Sequence, residues 1–423
     1  MNHKQITRAR DRLAQKLPPL NHILRGSLVQ RLFAPVLQQA LAYCPGPLVG
    51  MAVDDTRLRK SGRCIPQVAY HRDLLSLPFH TNLMLGLRFL QASLLVPLHS
   101  TQEMAARALP IRFEEVSVVK KPRKKADPAV WQQYRQDRKK YNLSRRFVKA
   151  MAELRHALDQ AGGQDKTLVI AGDGSFSNRT VWTGIPQRVE LIARTRKDAK
   201  LCFSAPQAGA TSPGNRRFYD TTKFTPEQVR QNENISWQTT QIFYGGQRRT
   251  IRYKEVPHVL WQGGAQRRSL RLLVIAPTSY HKRRDGRPYY RQPAYLLTSM
   301  VCGHTSELLQ IYFDRWQIEV NHREEKDTLG VGQAQMWNPV AVPKQPAMVV
   351  ACYSALLLAS LKAFGAQRGS AYASLPKWRR SAKRPSRLDL MTLLRKEMVE
   401  HPELFEGLHL LMTDQALTSA AAA

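Results

Sequence analysis

From residue 312 to 326 the chain reads YFDRWQIEVNHREEK, which sets a phenol, a guanidinium, a carboxylate and an ammonium at Tyr312, Arg315, Glu319 and Lys326. No Pro or Gly interrupts before Gly330. Thr305 or Ser306 can cap, and Glu307 suits the positive end of the dipole, so a helix of several turns is expected. At roughly 100° per residue the four positions fall within about 80° of arc on one face, with His322 and Arg323 among them. A lone carboxylate ringed by a phenol and cations suits a metal-bound phosphodiester. The plainer reading is a solvated face with a salt bridge. More carboxylates follow apolar runs. Residues 48–53 read as a buried strand delivering Asp54, Asp55 and Thr56, and residues 167–172 as a strand ending at Asp173 between two glycines. Carboxylates fixed at strand ends can face a cleft, as a hard cation requires, though an Asp there also simply opens a turn.

The spacing of Tyr312, Arg315, Glu319 and Lys326 resembles the YREK signature of bacterial insertion-sequence DDE transposases. These form the insertion-sequence-four-like group of the RNase H-like (retroviral integrase-like) superfamily. Trp316 and Ile318 are similar to that group's R-W-x-I-E run, and DDTRLRKSG at 54–62 resembles its D-D-T-x-x-x-K-x-G stretch. GDGS at 172–175 resembles the site of its second aspartate, although DGSFSN departs from the D-R-E-x-D of some relatives. The resemblance implies an α/β RNase H-like core in which Asp55, Asp173 and Glu319 are catalytic and bind Mg²⁺, with Mn²⁺ able to substitute. It prefers Asp55 as the first ligand and leaves Asp54 open. Two-metal phosphoryl transfer would cut at inverted-repeat ends and join the 3′-OH to target DNA. Tyr312, Arg315 and Lys326, with Trp316, His322 and Arg323, would contact that DNA. A homodimer in a synaptic complex is implied, in the bacterial cytoplasm at the nucleoid. A nuclease that cuts without joining, and a non-catalytic DNA-binding derivative, are the alternatives.

The rest of the chain must position these groups and hold the polymer. Lys and Arg number 65 against 32 Asp and Glu, a formal charge of +33. Such an excess repels itself unless a polyanion neutralises it, and nucleic acid leads over an anionic membrane. The densest stretch, 120–149, has twelve Lys or Arg interleaved with Trp131, Tyr134, Tyr141 and Phe147. Lys120, Lys121, Arg123, Lys124 and Lys125 lie in a Pro-bounded loop. Arg138, Lys139 and Lys140 lie on a helix expected to run from Pro128 into Leu154. Backbone phosphates are their expected partners. Asp198 is a rival ligand. Five scattered cysteines without a CxxC pair argue against a disulfide framework and structural zinc. No apolar leader or sufficiently long apolar run stands out, so no membrane is expected. The division expected is a helical basic DNA-binding region (1–47), a catalytic core (48–203 and 301–335), a β-rich insertion (204–300) and a helical basic region (336–423). In the insertion, Trp237 or Trp261 could stack on a base.

Overall fold

A computed structural model of the chain describes residues 27–400, apart from 74–75, 78, 80–81, 100–102, 207–216, 282–285 and 376–381. The basic residues expected to dock DNA before residue 27, and Arg379 and Arg380, lie outside these. The protein is a mixed α/β structure built on a ten-stranded sheet. In chain order its first elements are α1 (Ser27–Ala40), β1 (Leu48–Arg59), β2 (Ala69–Arg72), β3 (Leu83–Val96) and β4 (Arg107–Glu115). They are followed by α2 (Pro128–Lys140), α3 (Leu143–Gln160), β5 (Thr167–Gly172), α4 (Arg179–Thr183) and β6 (Val189–Arg194). Next come α5 (Pro226–Gln231), β7 (Gln238–Tyr244), β8 (Gln247–Leu260), β9 (Ser269–Ile275), β10 (Ser279–His281), β11 (Pro288–Tyr290) and β12 (Ala294–Thr298). Four helices close the described chain: α6 (Thr305–Asp314), α7 (Trp316–Asp327), α8 (Ala341–Phe364) and α9 (Arg387–Glu400).

β1 lies inside the sheet, and Val49, Met51, Ala52 and Val53 are buried, the unbroken apolar run of a strand covered on both faces. It pairs antiparallel with β3 and parallel with β5. The far edge of β3 takes β2 near its start and β4 near its end. β6 continues parallel to β5. A parallel neighbour needs a crossover, and the chain between β4 and β5 supplies α2 and α3. Helix α3 buries Phe147, Ala150, Met151, Leu154 and Leu158 along one stripe, with Phe147 stacked on Phe176 at 4.2 Å. The single helix expected from Pro128 is two, because Asn142 caps α3 by accepting from the Arg145 N–H at 2.9 Å.

The block expected to be β-rich, 204–300, carries β7 to β12. β12 pairs antiparallel with β6, and β9, β8 and β7 follow, so these strands extend the central sheet. Only the β10–β11 ribbon stands apart from it among the described strands. Leu308 and Leu309 of α6 pack on residues of β5, β6, β8, β9 and β12 in one core cluster.

Two compact units divide the chain, residues 33–354 and residues 1–32 with 355–423. Within the second, Ser386 and Asp389 cap α9 reciprocally: Asp389 Oδ2 accepts from the Ser386 N–H at 2.7 Å and Ser386 Oγ from the Asp389 N–H at 3.2 Å. Arg368 pairs with Asp389 at 3.6 Å. Helix α8 is long and apolar enough to cross a membrane by length and composition, and half of its most apolar stretch is buried.

Candidate active site

The last parallel pair between β1 and β5 is Ala52 with Ala171. Two residues further along each chain stand Asp54 and Asp173. Side chains in a strand alternate with period two, so both carboxylates leave the same level of the sheet on the face of Ala52 and Ala171. β1 itself does not end there. It stays paired with β3 as far as Arg59 and Gly86, whereas β5 stops at Gly172. The first aspartates therefore sit within a strand, beside a neighbour that has ended, where a strand end was expected.

That alternation separates Asp54 from Asp55. Asp55 points to the other face and accepts from Arg88 Nε at 2.8 Å, with Arg57 at 3.6 Å. Asp55, preferred from the sequence, is thus paired with two guanidiniums on the face away from Asp173, and Asp54 is the aspartate on the face shared with Asp173. Asp54 is pushed up to about 7, first by burial and then by the facing Asp173, while Arg315 pulls it down. Asp173 accepts from the Ser175 N–H at 2.9 Å and the Ser175 hydroxyl at 2.6 Å. This is the turn chemistry expected of an Asp at a strand end, and it fixes the carboxylate's direction.

The 312–326 stretch closes the site, as two helices where one was expected. His304, in the left-handed region at φ 52°, takes the N-cap position without a side-chain cap bond. Thr305 instead donates to Glu255 at 3.0 Å and accepts from Arg271 at 3.0 Å. α6 and α7 meet at Arg315, which keeps helical angles, and the Ile318 N–H bonds to the Arg315 carbonyl at 3.0 Å in a tightened turn. Arg315 Nη2 lies 3.2 Å from Glu319 Oε1 and its Nη1 lies 3.9 Å from Asp54 Oδ2. The guanidinium therefore links the strand carboxylate to the helix carboxylate. Burial raises Glu319; Arg315 lowers it and Asp173 raises it. Burial raises the Tyr312 phenol, with Arg315 and Arg194 opposing and Asp173 and Glu319 adding. The Lys326 ammonium is lowered by burial and supported by carboxylates that include Asp54.

The other residues of that stretch do different work. His322 Nε2 is buried with no hydrogen-bond partner, and burial, then Lys326 and Arg315, push the ring down to about 3. A neutral imidazole is no cationic phosphate contact. Trp316 and Arg323 are exposed. The opposite side of α7 docks on the sheet: Asn321 Nδ2 donates to Ser93 Oγ at 3.3 Å and to the Ala108 carbonyl at 3.1 Å. Gln91 Nε2 donates to Glu325 at 2.9 Å.

Beside Asp173 opens a cleft of about 1200 Å³, lined by Gly174, Arg194, Lys197, Arg230 and Trp261 among others. Arg194 was not singled out in the sequence. It follows Ala193, which pairs with Gly172, so strand register alone puts it level with Asp173. Asp198 also lines this cleft, where it is exposed and bound by Arg196 at 2.7 Å. Trp237 lies under Lys254 at 4.8 Å and Arg252 at 5.5 Å, a packing role. Lys120, Lys121, Arg123, Lys124, Lys125, Arg138, Lys139 and Lys140 are all exposed, and α2 buries none of its residues.

Among the described residues no three His, Cys, Asp or Glu side chains stand close enough together to hold a metal as they are. The donor set nevertheless fits a hard divalent cation at Asp54 and Asp173. Two oxygen-only ligands face one another, and their mutual repulsion helps raise Asp54. Glu319 is turned onto Arg315 and would join them by exchanging that partner. No protein-family model matches the chain, and no curated protein matches it.

Proposed function

We propose that this protein is a metal-dependent DNA transposase with an RNase H-like core, cutting DNA at the ends of an insertion sequence and joining the 3′-OH ends to target DNA. The observation that carries the reading is the convergence of Asp54 on a central strand, Asp173 at the end of its parallel neighbour, and Glu319 on a helix linked to Asp54 through Arg315. A strand, its neighbour and a helix each delivering one carboxylate is the layout such a core requires. Tyr312, Arg315 and Lys326 surround these carboxylates and supply donors for a phosphodiester, Arg315 as a planar fork and Lys326 as a point charge. Asp54, Asp173 and Glu319 would hold Mg²⁺ or Mn²⁺. When bound, such ions stabilise the attacking and leaving oxygens of an in-line displacement. No covalent protein intermediate is needed for such a displacement. The exposed cations of α2 and the loop before it extend the contact along the DNA backbone, where they position without reading sequence.

The test is strand cleavage and joining on DNA carrying the inverted repeats that flank the gene, with Mg²⁺ and with EDTA. Cutting at the repeat ends that needs metal and falls roughly 10²–10³-fold in Asp173→Asn and Glu319→Gln is expected, together with joined product. Cutting without joining would make the protein a nuclease. Binding without cutting in any metal would make it a DNA-binding protein.

A further inference from the structure

Asp54, Thr56 and Leu58 share one face of β1 by the same alternation that aims Asp54 into the site, and Lys60, just past the strand's end, continues it with its N–H bonded to the Leu85 carbonyl at 2.9 Å. Lys60 is 6% exposed, an unusual place for an ammonium, and among the described residues no carboxylate pairs with it. Its Nζ instead donates to the Gly332 carbonyl at 2.6 Å and to the Ala334 carbonyl at 2.7 Å. These carbonyls belong to the segment that leaves the C-terminal end of α7. The segment follows the tail of β1 closely at further points. Gly332, at φ +98°, lies so near Leu58 that an added Cβ would stand 3.0 Å from the Leu58 Cβ, and Gly62 abuts Trp337. The turn out of α7 is itself closed by the Val331 N–H bonding to the Glu325 carbonyl at 2.9 Å.

The residue that follows the Asp54 strand thus grips the segment that leaves the helix carrying Glu319. Asn321 and Glu325 fix α7 against β3 and β4, but the bond from Lys60 is the polar tie from α7's exit to the residue that follows β1. A metal site needs its ligands held to within about half an ångström, by supports that are themselves locked. We infer that Lys60 is a positioning residue for the metal site, setting the separation of Asp54 and Glu319 by clamping the carbonyls of Gly332 and Ala334. A lysine suits the task because its donors turn freely on one point and can satisfy separate carbonyls. Burial lowers the pKa of this ammonium, and the two bonds it donates offset part of the cost of keeping it charged.

The inference rests on the proposed metal-dependent activity, and the experiment separates the two. Wild type, Lys60→Met, Lys60→Arg and Glu319→Gln are compared for Mn²⁺ affinity by the loss of the free-ion electron paramagnetic resonance signal. The same proteins are assayed for the Mg²⁺ concentration giving half-maximal cleavage, for DNA affinity in EDTA, and for melting temperature. Lys60→Met is expected to bind Mn²⁺ about tenfold more weakly and to need about tenfold more Mg²⁺, with DNA affinity unchanged and Lys60→Arg between it and wild type. A lower folded fraction would reduce the amplitude of cleavage without moving the metal midpoint. Should Lys60→Met melt below the assay temperature, Gly332→Ala, which shifts the clamped carbonyl and leaves the lysine in place, is expected to move the midpoint likewise. Unchanged midpoints in a folded variant, with Glu319→Gln weakened, would overturn the role of Lys60 alone. Unchanged Mn²⁺ affinity in Glu319→Gln would overturn the metal-site reading and the positioning role with it.

Discussion

Asp54 gains its character from neighbours that only the fold assembles. Burial and the facing Asp173 hold its carboxyl near 7, and Arg315 opposes them from 3.9 Å. Asp55, adjacent in the chain, is held by Arg88 at 2.8 Å. Losing Asp54 should remove a ligand, whereas losing Asp55 should free a pair of guanidiniums and cost stability. The sequence singled out the Asp54–Asp55 pair and Asp173 from two strand runs and Glu319 from a helical spacing. Which of two adjacent aspartates faces the site was not legible. That depends on which face of β1 meets α6 and α7, and both residues belong equally to the same run. Arg194 escaped notice for a related reason. Its position beside Asp173 comes from the parallel pairing of β5 with β6, and nothing local announces a register. His322 shows the converse, where spacing placed a residue on the right face but burial removed its charge.

At the scale of elements, α7 is held by a buried polar cluster. Glu325 is 1% exposed, and burial pushes its carboxyl up to about 8, with Gln91 as its hydrogen-bond donor. A carboxyl raised above its unfolded value of about 4.3 favours the folded state while protonated. That contribution is complete below about pH 4.3 and is lost as pH rises to about 8, by up to roughly 1.4 kcal/mol per unit. Thermal melts of wild type and Glu325→Gln between pH 6 and 9 should show wild type losing stability toward the alkaline end and the variant losing distinctly less. Parallel curves would mean that Glu325 ionises without cost. Elements were the most legible level of this chain. The β1 and β5 runs, the Pro128 helix start and the absence of Pro and Gly before Gly330 each pointed to the element found there. Their interruptions did not show. The junction at Arg315 is a tightened turn within helical angles, and the break after α2 depends on an Asn142 cap bond that composition does not single out. That the β-rich block joins the central sheet did not show either, because it depends on β12 pairing with β6, across about a hundred residues with no local signature.

Over the whole molecule, a formal charge of +33 was the plainest property of the sequence, and the described structure leaves the cations of α2 and the loop before it turned to solvent. Such a surface stays folded at the cost of self-repulsion, which a polyanion relieves. If those cations meet DNA phosphates, neutralising two of them releases fewer counterions. Lys139→Ala combined with Lys140→Ala should then weaken binding for any sequence and lower the slope of log affinity against log salt by up to about 2. An unchanged slope would place the contacts elsewhere. The central claim is narrower than charge: the carboxylate at 54, together with those at 173 and 319, holds the reacting metal. Cleavage of inverted-repeat DNA in Mg²⁺ by Asp54→Asn and Asp55→Asn, side by side below both melting temperatures, tests it most directly. The account predicts cutting abolished in Asp54→Asn and retained within a few-fold in Asp55→Asn; cutting that survives at position 54 and fails at position 55 would contradict it.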